Sequence, residues 1–134
     1  MAQVTVTIET EVNPTEDEEK VKATVNNVLG NASITIKPAH KGNVLVAKAT
    51  GQESLTNLRK LLCQDRIRDA ARKLLFKSIR GNTINFYLNK QVAFAGHISF
   101  SEETAESPLG PLQFTIETEN PRQLVEWLAE KTTR

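Results

Sequence analysis

The chain is poor in the residues that staple, ligate or span. Its 134 residues include one cysteine, two histidines, one tryptophan and one tyrosine. The single Cys63 cannot close an internal disulfide, which excludes a disulfide-built secreted scaffold and fits a reducing compartment. Cys63, His40 and His97 lie far apart and lack metal-ligand spacing, so no metal site is expected. No apolar run approaches the roughly 20 residues that a membrane helix needs. The start, Met1-Ala2-Gln3-Val4-Thr5, has neither the cationic opening nor the apolar stretch of a signal peptide, so the expected location is cytoplasmic. A glycine-rich phosphate loop and a serine elbow are both missing, and nothing indicates a cofactor or a small-molecule substrate.

What is present fits one soluble domain over residues 1–134. The hydrophobic fraction of 39% is enough to exclude a disordered chain, and a chain this long builds a core without metal or disulfide help. The net charge of +1 hides an acid–base–acid layout. Residues 1–30 carry six acids and two bases, residues 31–100 twelve bases and three acids, and residues 101–134 seven acids and three bases. Eight of the middle bases fall within residues 51–80.

Hydrophobic periodicity supplies the elements. Val4, Val6 and Ile8 alternate with Thr5, Thr7 and Glu9, which predicts a half-buried strand. Asn13 is placed to cap a helix beginning at Pro14, with Glu16 closing a capping box; Thr15 with Glu18 is the rival register. Val21, Val25, Val28 and Leu29 recur at helical spacing up to Gly30, a natural C-cap. Ile34 and Ile36 mark a second strand ended by Pro38. Val44 and Val46 mark a third, after a turn around Gly42-Asn43.

Residues 52–80 predict two helical segments. The stripe Leu55, Leu58, Leu62 and the stripe Ile67, Ala70, Ala71, Leu74, Leu75 are out of phase, which places a break near Cys63-Gln64-Asp65 with Asp65 capping the second segment. Ile84, Phe86 and Leu88 alternate, as do Val92, Phe94, Ile98 and Phe100, and Asn89-Lys90 between them predicts a tight hairpin turn. Residues 101–111 predict a surface loop. Leu112, Phe114 and Ile116 form a last strand. Asn120-Pro121 then opens a helix with Leu124, Val125, Trp127 and Leu128 on its apolar face. The order β-α-β-β-α-α-β-β-β-α predicts an α+β domain, a mostly antiparallel sheet with helices on one face. Thr7-Ile8-Glu9-Thr10-Glu11 is repeated as Thr115-Ile116-Glu117-Thr118-Glu119; the favoured reading is convergent use of a good strand exit.

Chemistry is thin except on the basic helix. Cys63 fits a small packed residue better than a nucleophile. Glu16-Asp17-Glu18-Glu19 fits a helix first turn better than a cation site. In the second helical segment Arg66, Lys73, Lys77 and Arg80 fall near one stripe, with Arg68 and Arg72 on a neighbouring one, and Arg59 and Lys60 precede the break. That many cations on one helix can track phosphates; the competing reading is a solvated face with intrahelical pairs such as Asp69 with Lys73. Lys90, at the expected hairpin tip, is placed to reach a nucleic-acid backbone. Tyr87, beside Asn85 on the solvent side of its strand, is placed to stack on an unpaired base.

Four stretches carry a resemblance: Asn13-Pro14-Thr15-Glu16-Asp17-Glu18-Glu19-Lys20-Val21, Arg66-Ile67-Arg68-Asp69-Ala70-Ala71-Arg72, Phe86-Tyr87-Leu88-Asn89-Lys90-Gln91 and Glu106-Ser107-Pro108-Leu109-Gly110-Pro111. In that order they resemble an archaeal protein family of the UPF series labelled RNA-binding. The resemblance implies a fold similar to the ribosomal protein that binds 5S ribosomal RNA, and dimeric members. Cys63, Gln64 and Arg68 depart from the pattern of the family.

The expected function is therefore a non-enzymatic RNA-binding module related to ribosomes or RNA processing. Arg59, Lys60, Arg66, Arg72, Lys73, Lys77 and Arg80 would grip phosphates, with Lys90 and Tyr87 accessory. The alternative is a protein-interaction or scaffold module acting as a homodimer, its acidic ends meeting basic middles across the dimer. The loop held by Pro108 and Pro111 reads first as a well-specified connection between strands; the sharper reading makes Leu109 the apolar tip of a partner-docking site.

Overall fold

A computed structural model describes residues 3–40, 42–64, 66–101 and 111–130. The architecture is α+β, a fully antiparallel sheet with helices on one face. In chain order the elements are β1 (Val4–Val12), α1 (Glu18–Val28), β2 (Ser33–Pro38), β3 (Asn43–Thr50), a 3-10 turn (Gln52–Leu55), α2 (Thr56–Gln64), α3 (Arg68–Lys77), β4 (Ile79–Arg80), β5 (Thr83–Asn89), α4 (Lys90–Phe94), β6 (Phe100–Ser101), β7 (Pro111–Thr118) and α5 (Pro121–Leu128). The strands lie in the order β2-β3-β1-β7-β5-β4, and β6 also pairs with β5.

Period-two alternation decides which face is covered. Val4, Val6, Ile8, Thr10 and Val12 of β1 are buried, as are Leu112, Phe114, Ile116 and Thr118 of β7, Ile84, Phe86 and Leu88 of β5, and Leu45, Ala47 and Ala49 of β3. Register aligns these sets, with Ile8 opposite both Ala47 and Phe114, and Phe86 opposite Phe114. The Phe86 and Phe114 rings stack at 4.7 Å, and Phe100 meets Phe86 edge-on at 5.8 Å. Helices supply the facing layer through Val21, Val25 and Val28 of α1, Leu58 and Leu62 of α2, Ala71 and Leu75 of α3, and Leu124, Val125 and Leu128 of α5. The alternate residues, among them Thr5, Thr7, Glu9, Lys48, Asn85, Thr115 and Glu117, form an open sheet face without helices.

The repeated segment has a spatial counterpart. Its two copies lie side by side, with Thr7 opposite Thr115, Ile8 opposite Phe114 and Val6 opposite Ile116. Shifting each residue by the 108 positions between the copies exchanges the last two pairs, as a local two-fold axis requires. Each copy then leads into a helix, α1 or α5, on the same face.

Four expectations are corrected. The first helix begins at Glu18, not Pro14, and Asp17 caps it by accepting from the Glu19 amide. Asn13 and Glu16 do bond reciprocally, with the Asn13 amide and Nδ2 donating to Glu16 Oε1 at 2.9 and 2.8 Å and the Glu16 amide donating to the Asn13 carbonyl. Those bonds close one isolated turn, because Asp17 then takes the extended cap conformation. The break between α2 and α3 lies where expected, but Ile67 stands at the cap position without a side-chain bond, and Asp65 lies outside the described residues. The expected 84–100 hairpin is not formed: Asn89 caps α4, its Oδ1 accepting from the Val92 amide at 3.0 Å, so Val92–Phe94 are helical and only Phe100–Ser101 return to the sheet. Finally, a short hairpin of β4 with β5, turning through Gly81-Asn82, was not expected.

Gly42 fulfils its expected turn role. Its φ is +73°, and a Cβ there would collide with the Val12 carbonyl oxygen, so only glycine is accommodated.

Candidate nucleic-acid interface

The two helices α2 and α3, with α5 beside them, gather most of the cations singled out from the sequence. Ala71 and Leu75, four apart, fix α3 on the core and turn Lys73 and Lys77 outward. Arg66 and Arg80, both exposed, flank them at the two ends, and Lys60 is exposed on α2. Between Arg66 and Arg80 the chain carries six bases against one acid, Asp69. Arg66 holds φ at +56°, a left-handed conformation disfavoured for a residue with a Cβ. Arg66, Lys73, Lys77 and Arg80 form no salt bridge among the described residues; Arg80 donates instead to the carbonyls of Lys77 and Ile79, both at 2.9 Å.

Arg59 and Arg72 are committed differently. Arg59 pairs with Glu130, donates from Nε to the Trp127 carbonyl at 3.0 Å and lies 5.4 Å over the Trp127 ring. Arg72 pairs with Glu126 and lies 4.9 Å from the Phe76 ring, against which Arg122 also packs at 4.9 Å. These contacts bind α5 to α2 and α3, and they turn two expected phosphate ligands into interhelical ties. Arg122 is a cation that the sequence reading missed. It lies in the acidic C-terminal segment, and only folding brings it beside α3.

Lys90 is corrected outright. It is 3% exposed, and its ammonium donates to the Glu11 carbonyl at 2.6 Å and to Glu16 at 3.2 and 3.4 Å. Burial pushes its pKa below the ordinary 10.5, opposed by the neighbouring Glu16 carboxylate and the Glu11 charge. The reason is the missing hairpin: Lys90 opens α4 and points inward beneath the 13–17 turn, so it cannot reach a phosphate. A cleft of about 370 Å³ lies above this ion pair, bordered by Asp17, Lys20, Gln91 and Phe94.

Tyr87 is not brought to the basic helix. Phe86 and Leu88 are buried against the helices, so Tyr87, half-buried opposite Gln113, belongs to the open sheet face on the other side of the sheet. That face carries exposed Glu9, Glu11 and Glu117 against Lys37 and Lys48. Leu109 lies outside the described residues. Cys63, His40 and His97 are exposed and separate, and the described residues contain no group of three potential metal ligands.

An α+β sheet backed by a basic helical face is the setting in which the comparisons fall. The chain belongs to a protein family whose model, described as RNA binding, matches residues 5–119. Its relatives place it more particularly among the archaeal UPF0201 proteins. It is 42% identical over 129 residues to the UPF0201 protein of Sulfurisphaera tokodaii, covering 96% of this chain and 89% of the relative. It is 46% identical over 125 residues to that of Pyrobaculum islandicum, covering 92% and 87%. The crystal structure of a UPF0201 protein from Methanococcus jannaschii superposes with a TM-score of 0.84 at 29% identity, over 96% of this chain and 95% of that one. A DUF54 protein from Methanothermobacter thermautotrophicus shares the fold alone, with a TM-score of 0.61 at 16% identity over 96% and 99% of the two chains. No described helix is long and apolar enough to cross a membrane.

Proposed function

We propose that the protein is a non-enzymatic RNA-binding module whose phosphate-gripping surface is the outer face of α3. The observation that carries this reading is the row Arg66, Lys73, Lys77 and Arg80, exposed and without salt-bridge partners among the described residues, while Glu126 and Glu130 pair with Arg72 and Arg59. Lys60 and Arg122 extend the row at its margins. The family description supports RNA over other polyanions. A place near ribosomes or RNA processing is part of the same proposal and follows only from the fold that the family resemblance implies. Crosslinking to cellular RNA, followed by sequencing, tests it: recovery of ribosomal or precursor RNA by the wild type, lost in Lys73→Glu/Lys77→Glu, is expected. Recovery no greater than from a non-binding control contradicts it.

A second reading, a homodimeric scaffold, draws on the edge of β2, whose outer side has no strand partner among the described residues and which carries half-buried Ile34 and Ile36. Its charge argument has weakened, because Arg59–Glu130, Arg72–Glu126 and Lys90–Glu16 pair acidic ends with the basic middle within one chain. Light scattering at tens of micromolar tests the scaffold alone, since the family resemblance implies dimers for an RNA-binding module as well: a monomer mass removes it.

A further inference from the structure

We infer that the RNA taken by the α3 face is double-stranded and is recognised through its backbone, not through unpaired bases. The inference rests on the RNA-binding reading above and names the class of RNA.

Three features carry it. First, the two aromatic rings beside α3 and α5 are engaged by arginines, whereas the exposed Phe94 belongs to α4, which packs against α1. Arg72 and Arg122 each place a guanidinium group 4.9 Å from the Phe76 ring, and Arg59 lies 5.4 Å over Trp127. Binding of single strands draws much of its strength from bases stacked on open aromatic faces. Tyr87, the aromatic best suited to stacking by its strand position, lies half-buried opposite Gln113 on the other side of the sheet from α3.

Second, the cations stand along a helix fixed to the core. The ten residues of α3 span about 15 Å, and Ala71 and Leu75 pin the helix to the core. A flexible strand must be ordered to meet such a row and gains no groove to hold it. A duplex presents phosphates already fixed in a row, so neither partner loses much freedom on docking. Third, Arg66 holds its left-handed φ of +56° at the start of that row. An ordinary loop would favour glycine there, whereas arginine keeps a fifth cation with Lys60, Lys73, Lys77 and Arg80. Contacts of this kind to phosphate and sugar carry no base information, and double-stranded RNA is recognised largely by shape.

The test is fluorescence anisotropy of the full chain with an RNA duplex of about 16 base pairs, a length that spans successive grooves, and with each of its strands alone. Binding of the duplex at least tenfold tighter than either strand is expected, with Lys73→Glu/Lys77→Glu weakening it by more than tenfold. Tyr87→Leu should leave duplex affinity within twofold. Strands that bind as tightly as the duplex overturn this inference while leaving the RNA-binding reading intact. A severalfold loss in Tyr87→Leu with an unchanged melting curve does the same. Absence of binding to all three RNAs at low salt overturns both.

Discussion

Lys90 is the residue whose type says least about its place. A lysine between two alternating strands predicts an exposed turn, and lysine is seldom buried unless paired. Here Glu16, only 10% exposed at its side chain, is that pair, and the two charges sit in a cleft with the Glu11 carbonyl as a further acceptor. Removing one partner of such a pair strands the other, so Lys90→Met should cost about 3 kcal/mol in urea unfolding, and Lys90→Met/Glu16→Gln should recover part of that loss. The pH dependence has a definite sign. Between the lowered native pKa and 10.5 the unfolded chain still holds a proton that the native chain has released, so the stability contributed at this site rises with pH across that window. The margin of wild type over Lys90→Met should therefore widen from pH 8 towards pH 10.5; a shrinking margin would show that burial does not dominate at Lys90. Neither Lys90 nor Arg122 could be placed from the sequence, because each owes its position to contacts with segments far away in the chain.

Among the elements, alternation located five of the strands but failed at Val92 and Phe94, which are helical. Val4-Val6-Ile8 and Ile84-Phe86-Leu88 face the core as their spacing requires, and the phase slip between Leu62 and Ile67 marks a true break. Asn89 misled because asparagine suits both a turn and a helix cap. Its φ of −69° and its bond to the Val92 amide make it a cap, and the positive φ falls later, at Gly96, after α4 has ended. Asn27 of α1 then secures α4 by donating from Nδ2 to the carbonyls of Ala93 and Phe94 at 3.0 and 3.3 Å. Asn89→Ala should consequently cost about 1 kcal/mol in chemical denaturation; a neutral result would mean that tertiary contacts alone hold α4. The basic helix was legible as a charge cluster. Its division into outward cations and interhelical ties was not, since that depends on Glu126 of α5 and Glu130 just beyond it. Arg72→Ala should accordingly lower stability, having lost the Glu126 pair and the Phe76 contact, while Lys73→Ala should leave stability within about 0.5 kcal/mol of wild type. Equal thermal shifts in the two variants would argue against the division.

At the scale of the whole molecule, the acid–base–acid layout resolves into two unlike sides. The acidic ends supply β1, α1, β7 and α5; some of their glutamates tie down Arg59, Arg72, Lys90 and Lys22, and others line the open sheet face. What remains on the helical side is a row of about five cations without salt-bridge partners among the described residues. The most direct measurement is the salt dependence of affinity for an RNA duplex, wild type beside Lys73→Glu/Lys77→Glu, both checked for unchanged melting. Five phosphate contacts predict that log affinity falls with log salt at a slope of about −4 to −5, and that the double variant binds more weakly with a slope shallower by about 2. A wild-type slope near zero, or the same slope and affinity in the double variant, would contradict the assignment of RNA binding to α3.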